Sequence, residues 1–223
     1  MNMIDRDNTR NNDQDLQKLM KIEEYLSDPC GASSLPYWKT VSMSIPEGIT
    51  IIRDDRLSGK ECNGKDEPYF RMMHNLQVIK DSPLPKGYGI VNAGIDDFSA
   101  QINSCYTEEH ISPEELQAYR SHPVYMPDLW IAVADLKNRK TIATGIAEFD
   151  SNIGEGILEW IQVSPEYRKK GLGSFIVCEL LKRLRNRAGF VTVSGRMNNE
   201  SNPYALYASC GFGNPVIWHV IKD

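Results

Sequence analysis

The chain has 223 residues, 41% of them hydrophobic and 25% charged, the make-up of a soluble globular protein with one generous domain or a domain plus an extension. No apolar run approaches the roughly 20 residues of a membrane span. A formal net charge of −5 argues against wholesale nucleic-acid binding, which draws on a basic surface. The five cysteines form no CxxC pair and the four histidines are scattered singly, so neither a disulfide framework nor a metal site is expected. The compartment implied is reducing, hence cytoplasmic.

The polar start, MNMIDRDNTRNNDQD, lacks the apolar core of a signal peptide and is expected to be disordered over 1–13. Residues 14–27 set Leu16, Leu19, Met20, Ile22 and Leu26 at near-helical spacing and predict an amphipathic helix. DPCGASSLPYWK is rich in turn formers, and Ile49–Arg53 reads as a short strand. A polar, glycine-bearing loop follows at 57–68. YFRMMHNLQVIK has apolar residues at mixed spacing that do not decide between helix and strand. SPLPKG at 82–87 is the clearest boundary. It divides the chain into an N-terminal extension, 1–84, and a main domain, 85–223.

Beyond it the pattern is regular. GYGIVNA predicts a strand and DDFSAQINSCY a helix. SPEELQAYRSH predicts a second helix with Ser112 as N-cap, Pro113 at N1 and Glu115 at N3. DLWIAVAD and TIATGIAEFD form strands around the turn KNRK, and EGILEWIQV is a further strand. Residues 171–187 predict a helix, FVTVSG a strand, PYALYASCG a short helix capped by Asn202, and VIWHVIK a last strand. The order β-α-α-β-β-β-α-β-α-β points to an α+β fold with a partly antiparallel central sheet flanked by helices.

RKKGLGS (168–174) sits where a strand hands over to a helix. The first N–H groups of a helix have no intrahelical acceptor, and the dipole adds about half a positive charge there. Gly171 and Gly173 clear side chains from those groups, while Arg168, Lys169 and Lys170 add positive charge, together a fit for phosphate or pyrophosphate. A basic turn with glycines chosen only for its geometry is the other reading. The stretch is neither a Walker nor a dinucleotide-binding motif.

VSPEYRKKGLGSFIVCELL, with NPYALYASCGF downstream, resembles the GNAT superfamily of acyl-CoA N-acyltransferases over about residues 88–223. Arg168, Gly171 and Gly173 match its R/Q-x-x-G-x-G/A signature, and Tyr207, Gly211 and Phe212 match its second block. The resemblance implies an acetyltransferase using acetyl-CoA as co-substrate on a primary amine of a small molecule or peptide. It also makes a homodimer a fair expectation. The backbone of Val163 would pair with the pantetheine arm, and the amides from Arg168 through Leu172 to Ser174 would hold the pyrophosphate. Asn202, or Asn199, would contact the cofactor arm, since the asparagine spacing of the second block departs from the family pattern. Tyr207 would be the acid that protonates the departing thiolate.

The attacking amine must be neutral, so a base is needed. Simple alternation places Glu159 on the strand face of Ile157, Ile161 and Val163, where a carboxylate is costly unless it is paired or faces a cleft. It is therefore the candidate base, with a salt-bridged rim glutamate as the other reading and Glu148 as the next candidate. The aromatic residues Tyr37, Trp38, Tyr69 and Phe70 of the extension are candidates for shaping the acceptor cleft. A catalytically silent acyl-CoA-binding or interaction module on the same fold is the competing reading.

Overall fold

The computed structural model describes residues 20–57, 64–106 and 109–223. The expectation for residues 1–13, the predicted helical positions Leu16 and Leu19, and Cys62 fall outside them. The helices are α1 (Ile22–Ser27), α2 (Tyr37–Ser42), α3 (Ile95–Asn103), α4 (Pro113–Ala118), α5 (Leu172–Leu184) and α6 (Pro203–Ser209). The strands are β1 (Ile49–Arg53), β2 (Lys65–His74), β3 (Tyr88–Val91), β4 (Trp130–Asp135), β5 (Lys140–Asp150), β6 (Glu155–Val163), β7 (Phe190–Arg196) and β8 (Gly213–Lys222). From β3 onward this is the order expected from the sequence.

Local signals account for many of the boundaries. Ser112 Oγ accepts from the Glu115 N–H at 3.1 Å and Glu115 Oε2 from the Ser112 N–H at 2.8 Å, closing a capping box at α4. Asn202 Oδ1 accepts the Ala205 N–H at 3.1 Å and starts α6. The turn from β4 to β5 is held by Asp135, whose Oδ1 accepts the Lys137 N–H at 2.9 Å.

All eight strands form one sheet, in the order β1-β8-β2-β7-β6-β5-β4-β3. Among the described strands only the β6–β7 pair is parallel, and α5 is the crossover between them. The main core lies between the sheet and α5, around Leu158, Ile176, Leu180, Val191 and Val193. Gly145 on β5 allows this approach: a Cβ there would stand 2.3 Å from Cγ2 of Ile176. A second cluster beneath α3 and α4 gathers Phe98, Ile102, Leu116 and Ile146.

Two readings of the first third change. The first half of the stretch with mixed spacing, Tyr69–His74, is part of β2, an inner strand between β8 and β7. Phe70 and Met72 are buried, and so is the intervening Arg71, which hides the alternation expected of a strand. The proline-rich segment at 82–87 therefore joins strands of one sheet, and Phe70, Met72 and Leu76 share a core with residues after 85. Second, α1 does not bury an apolar stripe. Ile22 and Leu26 are 39% and 43% exposed, whereas Tyr25 is fully buried. What docks this segment is polar: Glu155 Oε1 accepts from Tyr25 Oη at 2.7 Å, Arg71 Nη2 at 3.1 Å and Thr192 Oγ1 at 2.6 Å. Glu155 Oε2 accepts the Tyr37 N–H at 3.1 Å.

On β8, next to the edge strand β1, His219 is held between two carboxylates, Nδ1 at 2.8 Å from Asp66 and Nε2 at 3.0 Å from Asp54. Burial works to lower its pKa, but Asp54 and Asp66 outweigh burial and raise it. Its contribution to stability is therefore complete below the unfolded pKa of about 6.5 and is lost as pH rises through the folded value. Thermal melts across this range should show wild type losing its advantage over His219→Gln as pH rises. Parallel pH profiles for the two proteins would refute the linkage.

Candidate active site

The site is built where β6 and β7 separate. Their pairing runs from Glu155 opposite Phe190 to Leu158 opposite Val193 and stops, although β6 continues to Val163 and β7 to Arg196. A bulge coincides with the parting. Ile146 faces Trp160 and Ala147 faces Leu158, which leaves Glu159 as the extra residue on β6. The bulge overturns the simple alternation expected for Glu159. Leu158, Ile161 and Val163 share the core on the α5 side, while Trp160 packs with Ile146 on the opposite side. Unpaired backbone at a bulge re-aims a side chain, and here the side chain is a carboxylate.

A cavity of about 370 Å³ opens on one side of this parting. Val163, Arg168, Lys169, Gly171, Leu172, Gly173, Ser174 and Tyr207 all line it. Gly171 caps α5 in the left-handed region, φ 84°, and Lys169 also has positive φ, 60°. These two reversals fold the loop back onto the helix start. Among the described residues no side chain caps the first turn of α5, so its N–H groups and dipole are available to an anion. Arg168 Nε donates to the Val163 carbonyl at 3.1 Å and ties the loop to the end of β6. Nε2 of Gln162, another lining residue, is buried without a hydrogen-bond partner among the described residues.

Two expected members stand apart from this lining. Lys170 lies over the Tyr167 ring, its Nζ 4.7 Å from the centroid. Asn202 uses its side chain to cap α6, whereas Asn199 lines the cavity. Tyr207 is 6% exposed, its ring 6.0 Å from Phe70 and 5.6 Å from Phe212, centroid to centroid. Burial pushes its hydroxyl pKa up, so the group stays protonated.

Glu159 lies outside that cavity. It lines a second one of about 270 Å³ with Ile157, Leu158, Lys39 and Ser194. The two cavities follow one another along β6, the second reaching Glu159 and the first beginning at Ile161. Lys39 Nζ of α2 lies 2.6 Å from Glu159 Oε1. Glu148, on β5, is 1% exposed, accepts from Trp38 Nε1 at 3.2 Å and meets His122 Nδ1 at 3.2 Å. Burial, then the charge of Glu159, pushes the Glu148 carboxyl up to about 8, with Lys39 opposing. Burial and the Lys39 charge together lower the pKa of His122. The sequence reading did not find Lys39 or His122. Lys39 differs in sequence from no other surface lysine, and only packing brings it to a carboxylate 120 residues away.

Residues 127–213 match the family model of the acetyltransferase (GNAT) domain. No curated protein sequence matches the chain. Among solved structures it is similar to a GCN5-related N-acetyltransferase from Sphaerobacter thermophilus, at 15% identity and a TM-score of 0.58. That match covers 70% of this chain and 51% of the other, so the chain spans about half the length of that relative. It is also similar to an acetyltransferase from the GNAT family of Colwellia psychrerythraea, at 14% identity and a TM-score of 0.54, over 78% of this chain and 64% of that one. The segment 127–213 is a GNAT acetyltransferase domain, and the chain around it has the GNAT fold.

Proposed function

We propose that the protein is an acetyl-CoA-dependent N-acetyltransferase that passes the acetyl group directly to a primary amine in a ternary complex. The observation that carries this reading is the parting of β6 and β7 beyond Leu158. It has an uncapped, cationic helix start on one side and paired carboxylates on the other. The α5 amides with Arg168 and Lys169 suit the pyrophosphate, and Lys170 adds charge from its place over Tyr167. The backbone of Val163 and the unpartnered amide of Gln162 suit the polar groups of the pantetheine arm. Asn199 is better placed than Asn202 to reach that arm, because it lines the cavity whereas Asn202 caps α6 outside the lining.

The acceptor amine approaches from the Glu159 side. Glu159 takes its proton and passes it to ionised Glu148 behind it, and the neutral nitrogen attacks the thioester carbonyl. The C–S bond breaks, and Tyr207, protonated at any working pH, supplies the proton for the thiolate. Residues 20–42, as part of the N-terminal extension, wall the acceptor cleft through Leu35, Pro36 and Lys39, and Trp38 bonds Glu148.

Two measurements test this reading. Acetyl-CoA should raise the melting temperature where ATP and NAD do not, and thiol should be released in the presence of an amine panel. Binding with no turnover on any amine would instead favour an acyl-CoA-binding module. Because Glu148 retains its proton to about pH 8, kcat/KM for the amine should rise through that pH. The rise should vanish in Glu148→Gln; the same limb in that variant would remove Glu148 from proton transfer.

A further inference from the structure

Among the described residues of the extension, Lys39 is the one whose cation meets the candidate base. Its Nζ lies 2.6 Å from Glu159 Oε1, where an acceptor ammonium would have to lie to surrender its proton. The Lys39 side chain is only 17% exposed, so the contact is not a passing encounter of surface charges. α2, which carries it, is fixed at its first residue by the Tyr37 N–H bond to Glu155 and at its second by Trp38 bonding Glu148. The helix is thus pinned to β6 and β5, and Lys39 projects to the bulge where β6 and β7 part.

We propose that Lys39 is an internal acceptor, and that the protein acetylates its own Lys39 Nζ from acetyl-CoA. This rests on the N-acetyltransferase reading above and deepens it. In the reaction the Lys39 ammonium gives one proton to Glu159. The neutral Nζ forms a bond to the acetyl carbonyl carbon, and the carbon–sulfur bond breaks. The thiolate takes the Tyr207 proton, and the second proton of the amine leaves as the amide forms, restoring Tyr207 and Glu159 by exchange with solvent. The products are Nζ-acetyl-Lys39, free coenzyme A and one proton. The groups facing Nζ are Glu159 from β6, Glu148 from β5, and Tyr119 and His122 from the segment after α4. Burial works to lower the Lys39 pKa, but Glu159 and Glu148 outweigh burial and raise it, so the reaction speeds up as pH rises.

The full chain is incubated with acetyl-CoA alone and with acetyl-CoA plus the amine panel, followed by intact-mass and peptide mass spectrometry. The expected result is one acetyl increment at Lys39, absent in Lys39→Arg, with a first-order rate independent of protein concentration. The rate should fall by about 10²-fold or more in Tyr207→Phe, a loss that a merely accessible lysine reacting chemically would not show. An equal rate in Tyr207→Phe, or a rate that scales with protein concentration, overturns the proposal. External amines acetylated while Lys39 stays unmodified overturn self-acetylation alone and leave the enzyme reading intact. Acetyl-CoA bound with neither Lys39 nor any amine modified overturns both.

Discussion

Replacing Tyr207 with phenylalanine is expected to lower kcat for amine acetylation by about 10²–10⁴-fold, the range that a positioned proton donor contributes. The dissociation constant for acetyl-CoA should remain nearly unchanged. The substitution is clean because the ring is held by Phe70 and Phe212 and belongs to the core between α6 and the sheet. Phenylalanine keeps those contacts and removes only the hydroxyl. That hydroxyl lies in the lining of the larger cavity, and burial has raised its pKa, so it offers a proton without having to gain one first. Steady-state kinetics with a direct binding measurement separate the two effects. An unaltered kcat would exclude Tyr207 as the acid and shift that role to solvent.

Replacing Glu155 with glutamine is expected to cost about 3–5 kcal/mol of folding stability, measured by chemical denaturation. Glu155 is fully buried beside Arg71, which is 1% exposed. It accepts four hydrogen bonds, from Tyr25, Arg71, Thr192 and the Tyr37 backbone. A glutamine of the same shape leaves the Arg71 charge without its counter-ion. It also turns an acceptor into a donor facing donors, whichever way the amide is set. Replacing both partners, Arg71→Met with Glu155→Leu, should recover part of the loss, because the uncompensated charge disappears with its partner. A loss within about 0.5 kcal/mol for the single variant, the range of ordinary surface substitutions, would contradict this account. The same variant should speed proteolysis within residues 20–42, since Tyr25 and Tyr37 are anchored there through Glu155.

The two effects meet at α2. The ion pair that docks the N-terminal segment on the sheet also carries Trp38 and Lys39 to the carboxylates of the acceptor side. Stability and the shape of the proposed acceptor cleft are therefore linked through one buried charge pair.

Local chemistry made most of the main domain legible. Capping residues such as Ser112 and Asn202, the glycines at 171 and 173, and strongly apolar runs such as EGILEWIQV act over a few residues, and α4, α6, α5 and β6 follow from them. The same short-range logic marked the loop at 168–174 as a fit for an anion, while Tyr207 was marked by the resemblance of its block to the GNAT pattern. The sequence could not show that β2 enters between β7 and β8, because its partners lie more than 100 residues away and Arg71 masks its period. Nor could it show that β6 bulges at Glu159, since a bulge is defined by the register of the neighbouring strand. Lys39 and Glu159, remote in sequence, come together only through docking of α2. Spacing along the chain therefore determined the elements and the candidate anion-binding loop. Tertiary packing alone decided which cation faces the candidate base, because that contact depends on strand register and a buried ion pair, and neither has a local signature.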